Sequence, residues 1–106
     1  MTRKKTILNI DTSSQEKTRI NLVVGDRESV LTETNNKQKS QVLLRLIENI
    51  LNKQKISLKE INGIEIIKGP GSFTGLRVGM SVANTLGWLL NIPINGEKGK
   101  CQLPEY

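Results

Sequence analysis

Two polar segments of this 106-residue chain carry side chains that could handle an anion, and each directly follows an apolar run. Asp11, Thr12 and Ser13 present a carboxylate and two hydroxyls immediately after residues 6–10, TILNI. In a phosphate-handling protein the carboxylate would organise a metal ion or a water, and the hydroxyls would hold phosphate oxygens. The same residue types also satisfy a turn locally, and an Asp that caps its own hairpin is the simpler reading. Residues 69–79, GPGSFTGLRVG, make a glycine-rich turn ahead of a helical stretch. Exposed backbone N–H groups and the helix dipole both favour negative charge at such a junction. A Walker loop is excluded, because Leu76 and Arg77 follow Gly75 where Lys and a hydroxyl residue are required, and the spacing misses G-x-G-x-x-G by one residue. On residue chemistry alone a tight structural turn is the plainer account, with Ser72 or Thr74 as the helix cap rather than as a nucleophile.

Other reaction chemistries lack their parts. The sequence contains no histidine, so neither a Ser-His-Asp nor a Cys-His arrangement can be assembled from it. Its one cysteine, Cys101, has no thiol partner, which argues against a disulfide or a soft-metal site and for a reducing compartment. No cofactor is expected. Phe73, Trp88 and Tyr106 are the only aromatics, too few for a base-stacking surface. The formal charge of +6 would attract an anionic partner such as tRNA. The basic residues are nevertheless scattered from Arg3, Lys4 and Lys5 through Lys37, Lys39 and Arg45 to Lys100, often beside acids, and a solvated surface is the reading preferred over an RNA stripe. The opening MTRKK lacks the apolar run of a signal peptide. Residues 76–92 are short for a span and contain Arg77, Ser81, Asn84 and Thr85, so a cytoplasmic protein without a membrane segment is expected.

The elements that must position these groups follow from periodicity. Residues 6–10, 19–24 and 28–34 read as three strands, the last two joined by a tight turn at Gly25 and Asp26. Residues 40–53 change to helical spacing. Ser57 to Glu60 resembles a capping box opening one short turn, and residues 63–68 form a strand that Gly69 and Pro70 must end. A second helix is expected over about residues 74–90. Residues 91–96 could start a final strand, and residues 97–106 show no pattern. The order β-β-β-α-β-α fits an α/β domain with a mixed sheet and two helices on a face.

These motifs, in this order, resemble the TsaB (YeaZ) family. GPGSFTGLRVG, preceded by ISLKEINGIEIIKG and followed by a helix ending in NIPI, is similar to its signature, and ILNIDTSSQ is similar to its opening strand and loop. The resemblance covers about residues 6–96. It implies an actin/hexokinase/Hsp70-like (ribonuclease H-like) fold, with residues 1–96 as the N-terminal domain, 97–106 as an irregular C-terminal stub, and the family's second domain absent. Asp11, Thr12 and Ser13 then occupy a vestigial phosphate loop, and Gly69, Pro70, Gly71, Ser72, Phe73, Thr74 and Gly75 form the family's motif loop. The implied role is a non-catalytic scaffold or dimerisation subunit in tRNA N6-threonylcarbamoyladenosine modification. Its partners would be a TsaD-type catalytic subunit, a TsaE-type ATPase through the complex, a second copy of itself, and tRNA indirectly. An ATPase or sugar-kinase-like phosphotransferase of the same superfamily is the alternative.

The helices suggest where a partner would sit. At about 100° per residue, the apolar side chains of the first helix, including Val42, Leu43, Leu44, Leu46 and Ile50, cover roughly 200°, about twice what one sheet requires. In the second helix Gly75, Gly79, Ala83 and Gly87 recur every four residues. Small residues at that spacing admit another helix backbone, and the resemblance implies association through these two helices. The same stripe could merely seat the two helices against each other and the sheet; the resemblance favours the other reading, and Val42, Leu46, Asn49, Gly75, Gly79 and Ala83 are expected at or beside a partner interface.

Overall fold

The computed structural model describes residues 5–34 and 39–105, together with the backbone but not the side chain of Lys39. Arg3, Lys4, Lys37 and Tyr106 lie outside the described residues. Four strands, β1 (Thr6–Asp11), β2 (Lys17–Val24), β3 (Arg27–Thr34) and β4 (Gly63–Ile66), and two helices, α1 (Lys39–Gln54) and α2 (Phe73–Leu90), follow the order read from periodicity. The sheet order is β3-β2-β1-β4, with β1–β2 and β2–β3 antiparallel and β1–β4 parallel.

Register places the apolar residues on one face. Leu8 lies opposite Leu22 on one side and Ile64 on the other, and Ile10 lies opposite Ile20 and Ile66. All six are buried, as period-two alternation in half-covered strands requires. Helix α1 covers β2 and β3, and α2 covers β4 and β1. Leu43 and Ile50 of α1 are fully buried, each contributing about 1.5–3 kcal/mol of apolar burial. Gln54, in the last turn of α1, donates to the Leu22 carbonyl at 3.2 Å and to Ser29 Oγ at 2.9 Å, anchoring that end of the helix over β2 and β3. The expected short turn is a 3-10 helix at Leu58–Glu60, where the Glu60 carboxylate accepts the Ser57 N–H at 2.8 Å. Among the described residues no helix covers the opposite sheet face, where Asn9, Asp11, Arg19, Asn21 and Glu65 line a shallow cavity of about 360 Å³.

The final strand expected from residue 91 is reduced to one bridge, Ile94 to Ile64. Asn95 and Gly96 adopt positive φ (51° and 79°), the pattern of a type I′ turn, and Ile94 and Glu97 exchange two backbone hydrogen bonds of 3.0 Å across it. The chain reverses before a strand can extend. The edge of β4 is completed instead by the Asn95 side chain, whose amide imitates a peptide group. It accepts the Ile66 N–H at 2.7 Å and donates to the Ile66 carbonyl at 3.1 Å.

Residues 98–105 contain no helix or strand, yet they are anchored. Asn84 of α2 and the Gln102 backbone exchange two hydrogen bonds, of 2.8 and 2.9 Å, and the Glu105 N–H donates to the Lys68 carbonyl at 2.6 Å. Hydrogen bonds from the Gln102 and Lys100 side chains hold the Glu97 carboxyl below its ordinary range.

Candidate functional site

The two motif loops meet at the end of the sheet where β1 and β4 finish. After Ile10, whose carbonyl accepts the Ile67 N–H at 3.1 Å, the chain leaves β1 and turns at once. The Asp11 carboxylate drives that turn by accepting from Ser13 N–H at 3.0 Å and Ser13 Oγ at 2.6 Å. The Ser13 carbonyl in turn accepts the Ser72 N–H at 2.7 Å, which ties the first loop to the glycine-rich one.

This junction explains two glycines of the motif. A Cβ on Gly71 would lie 2.7 Å from both Ser13 Cβ and Ser13 O. A Cβ on Gly79, inside α2, would lie 2.2 Å from Thr12 Oγ1. Thr12 is fully buried beneath that helix. Ser72 caps α2, with its Oγ accepting from Gly75 N–H at 3.2 Å. Thr74 is exposed and is not the cap. Phe73 is exposed as well, and the Arg77 guanidinium lies 5.4 Å from its ring centroid, within cation–π range.

Asp11, Thr12 and Ser13 are thus brought together with Gly69, Pro70, Gly71, Ser72 and Gly75, and the bonds among Asp11 Oδ1, Ser13, Ser72 and Gly75 hold the junction itself. One oxygen of the Asp11 carboxylate, Oδ1, is taken up by its own turn, and one of the N–H groups that a helix N-terminus would offer an anion is already taken by Ser72.

The residues expected at or beside a partner interface are mostly covered by the chain itself. Val42, Leu46, Gly75, Gly79 and Ala83 are buried within this chain, and only Asn49 is exposed. The small-residue stripe of α2 faces inward because α2 must lie close over its own sheet: Gly79 admits Thr12, and Gly87 admits Ile94. A partner cannot use that stripe without unpacking it. The apolar side chains that do point outward from the helices are Leu44, Phe73, Trp88 and Leu89, at 53%, 57%, 81% and 63% exposure. Helical spacing marked α2 as apolar over a wide arc but did not say which part of the arc the sheet would take. The structural roles of Asn84, Asn95 and Gln102 were also missed. The Asn95-Gly96 dipeptide was the available signal, since it is the commonest type I′ turn sequence.

A four-stranded mixed sheet in the order 3-2-1-4, with two helices on one face and the first strand's loop joined to a glycine-rich helix start, defines an α/β domain of the actin-like, ribonuclease H-like class. Residues 25–97 match the family described as TsaD: tRNA N6-adenosine threonylcarbamoyltransferase. The chain is similar to the tRNA threonylcarbamoyladenosine biosynthesis protein TsaB of Buchnera aphidicola subsp. Baizongia pistaciae, 39% identical over 89 residues that make up 84% of this chain and 40% of that protein. Its likeness to the same-named protein of Bacillus subtilis is 33% over 93 residues, 85% of this chain and 39% of the relative. Among solved structures, YeaZ from Pseudomonas aeruginosa superposes with a TM-score of 0.80 at 28% identity, covering 85% of this chain and 42% of that one. The chain belongs to the TsaD family and, within it, to the TsaB (YeaZ) type. It spans about two fifths of the length of the relatives it matches.

Proposed function

We propose that this chain acts in tRNA threonylcarbamoyladenosine formation as a non-catalytic subunit that stabilises a TsaD-type catalytic partner. The observation carrying this reading is the chain of bonds in which Ser13 donates to Asp11 Oδ1 and its carbonyl accepts the Ser72 N–H, so that the loop that would hold phosphate acts as a structural joint. The relatives named as biosynthesis proteins of this modification support the pathway.

The partner surface in this proposal is the outer side of the helix pair, where Leu44 of α1 and Leu89 of α2 are exposed. Exposed aliphatic side chains of this kind supply the apolar centre of protein interfaces. A TsaE-type ATPase would join through the assembled complex, and a second copy of the chain would compete for the same surface. The family is described as a transferase, and that favours a second reading in which the chain contributes to a catalytic unit. Deleting the gene and measuring threonylcarbamoyladenosine in total tRNA by mass spectrometry tests the proposal. Loss of the nucleoside, restored by the wild-type chain and by Asp11→Asn but not by Leu89→Arg, is expected. Failure of Asp11→Asn with Leu89→Arg fully active would favour the catalytic reading.

A further inference from the structure

The excess positive charge of the chain gathers at one end of the fold. The end opposite the motif loops is formed by the start of β1, the β2–β3 turn, the C-terminus of α1, the 3-10 helix and the start of β4. Hydrogen bonds hold these parts together: Gly25 N–H donates to Lys5 O at 3.0 Å, Asn62 N–H to Thr6 O at 2.8 Å, and the Gln54 side-chain amide of α1 to the Leu22 carbonyl at 3.2 Å. Lys5, Arg27, Lys53, Lys55 and Lys59 are all exposed there, and the acids on or beside these segments are Asp26, Glu28 and Glu60. Glu60 is occupied by the Ser57 N–H, and nearby Glu28 accepts from Asn21 on the open sheet face. Among the described residues none of the five cations forms an ion pair, whereas Arg45, Lys68 and Lys100 elsewhere are paired with Glu33, Glu105 and Glu97. Away from this end the remaining described side chains comprise seven cations and seven acids, so that part is neutral.

Cations beside a helix C-terminus complement its dipole, and this accounts for Lys53 and Lys55. It does not account for Lys5, Arg27 and Lys59, which lie on strand ends and on the 3-10 helix. Four adjacent strands spread these charges over about 15 Å, a span that meets several consecutive phosphates rather than one anion. Leu58 is the only large exposed hydrophobic residue on these segments, so the apolar centre of a protein interface is lacking. The aromatics of the described chain, Phe73 and Trp88, lie on α2, and neither sits on these segments to stack an unpaired base.

We infer that this end of the domain binds the phosphate backbone of a folded RNA, without reading its sequence. The inference goes beyond the assembly role proposed above and does not depend on it. The test is fluorescence anisotropy of a labelled RNA stem-loop between about 50 and 200 mM salt. It compares the wild-type chain with Lys53→Gln/Lys55→Asn/Lys59→Gln and with the control Lys17→Gln/Arg19→Gln/Arg77→Gln. Asn suits position 55, whose backbone is left-handed at φ 57°. The first variant should bind about tenfold more weakly or worse at the low-salt end, with the slope of log affinity against log salt reduced by about 2 to 3. The control, carrying the same charge change, should stay within about twofold of wild type. Wild-type affinity in the first variant, equal weakening in both, no RNA binding by the wild type, or equally tight binding to poly-glutamate would each overturn the assignment.

Discussion

Replacing Gly79 with Ala probes the joint between α2 and the first loop. The new methyl would sit 2.2 Å from Thr12 Oγ1, 3.1 Å from Ile66 Cδ1 and 3.3 Å from Thr12 Cβ. Reaching a tolerable 3.0 Å from the hydroxyl means that helix or loop moves by about 0.8 Å. Thr12 is short and fully buried, so it cannot swing aside as the tip of Ile66 can. Overpacking of this kind costs about 1–3 kcal/mol. Ala also gains about 1 kcal/mol over Gly in a helix interior, which leaves a net loss of about 0–2 kcal/mol. The single variant therefore decides little, and a double-mutant cycle decides more. In a Thr12→Ala background the hydroxyl is gone, the remaining Cβ contact at 3.3 Å is only tight, and Gly79→Ala should be neutral or stabilising by up to about 1 kcal/mol. Urea unfolding followed by far-ultraviolet circular dichroism, at constant m, should give a coupling of about 1–3 kcal/mol. Equal effects of Gly79→Ala in the two backgrounds, within about 0.5 kcal/mol, would refute the packing of Gly79 on Thr12.

Other perturbations follow from the same contacts. Asn95→Gly should cost about 1–3 kcal/mol through the two hydrogen bonds lost from Ile66, and Asn95→Ala about 1–2 kcal/mol more because φ is positive there; equal unfolding midpoints for the two would contradict this. The Glu97 carboxyl has a folded pKa held below its ordinary 4.5, so the stabilisation it gives the 97–105 segment is present above that value and is lost as pH falls through the lowered pKa. Amide-exchange protection of Gln102 should fall across that acid window in the wild type and be low throughout in Glu97→Gln. Because Asp11 Oδ1 is taken up by Ser13, titration calorimetry with ATP should show no micromolar binding, and binding abolished by Asp11→Asn would show the loop to be functional.

How far the sequence could be read depended on whether an element's partners lay nearby in the chain. The three strands of the meander, both helices and the capping box at Ser57 were legible because alternation, helical spacing and caps are local signals. The helix face was not. Gly75, Gly79 and Ala83 form a stripe that suits a foreign helix as well as an own sheet, and only the placement of Thr12 beneath Gly79 decides between them. The fate of residues 91–96 was hidden for a related reason. Ile92, Pro93 and Ile94 have strand character, but the positive φ of Asn95 and Gly96 turns the chain back and leaves a side-chain amide to finish the sheet edge. For the motif loops, residue types suggested anion chemistry, and the pairing of Ser13 with Ser72 depended on a fold that joins residues 59 positions apart in the chain.

The central claim is that this domain serves a catalytic partner through the outer side of α1 and α2. Co-expression with the TsaD-type subunit of the same organism, followed by affinity capture and size-exclusion chromatography, tests it most directly. The wild-type chain should co-elute with that subunit at fixed stoichiometry. Leu44→Arg and Leu89→Arg, both at exposed positions where the fold tolerates charge, should keep the wild-type circular dichroism and lose the complex. A wild-type chain that fails to associate, or Arg variants that remain in a complex eluting at the wild-type position, would contradict it.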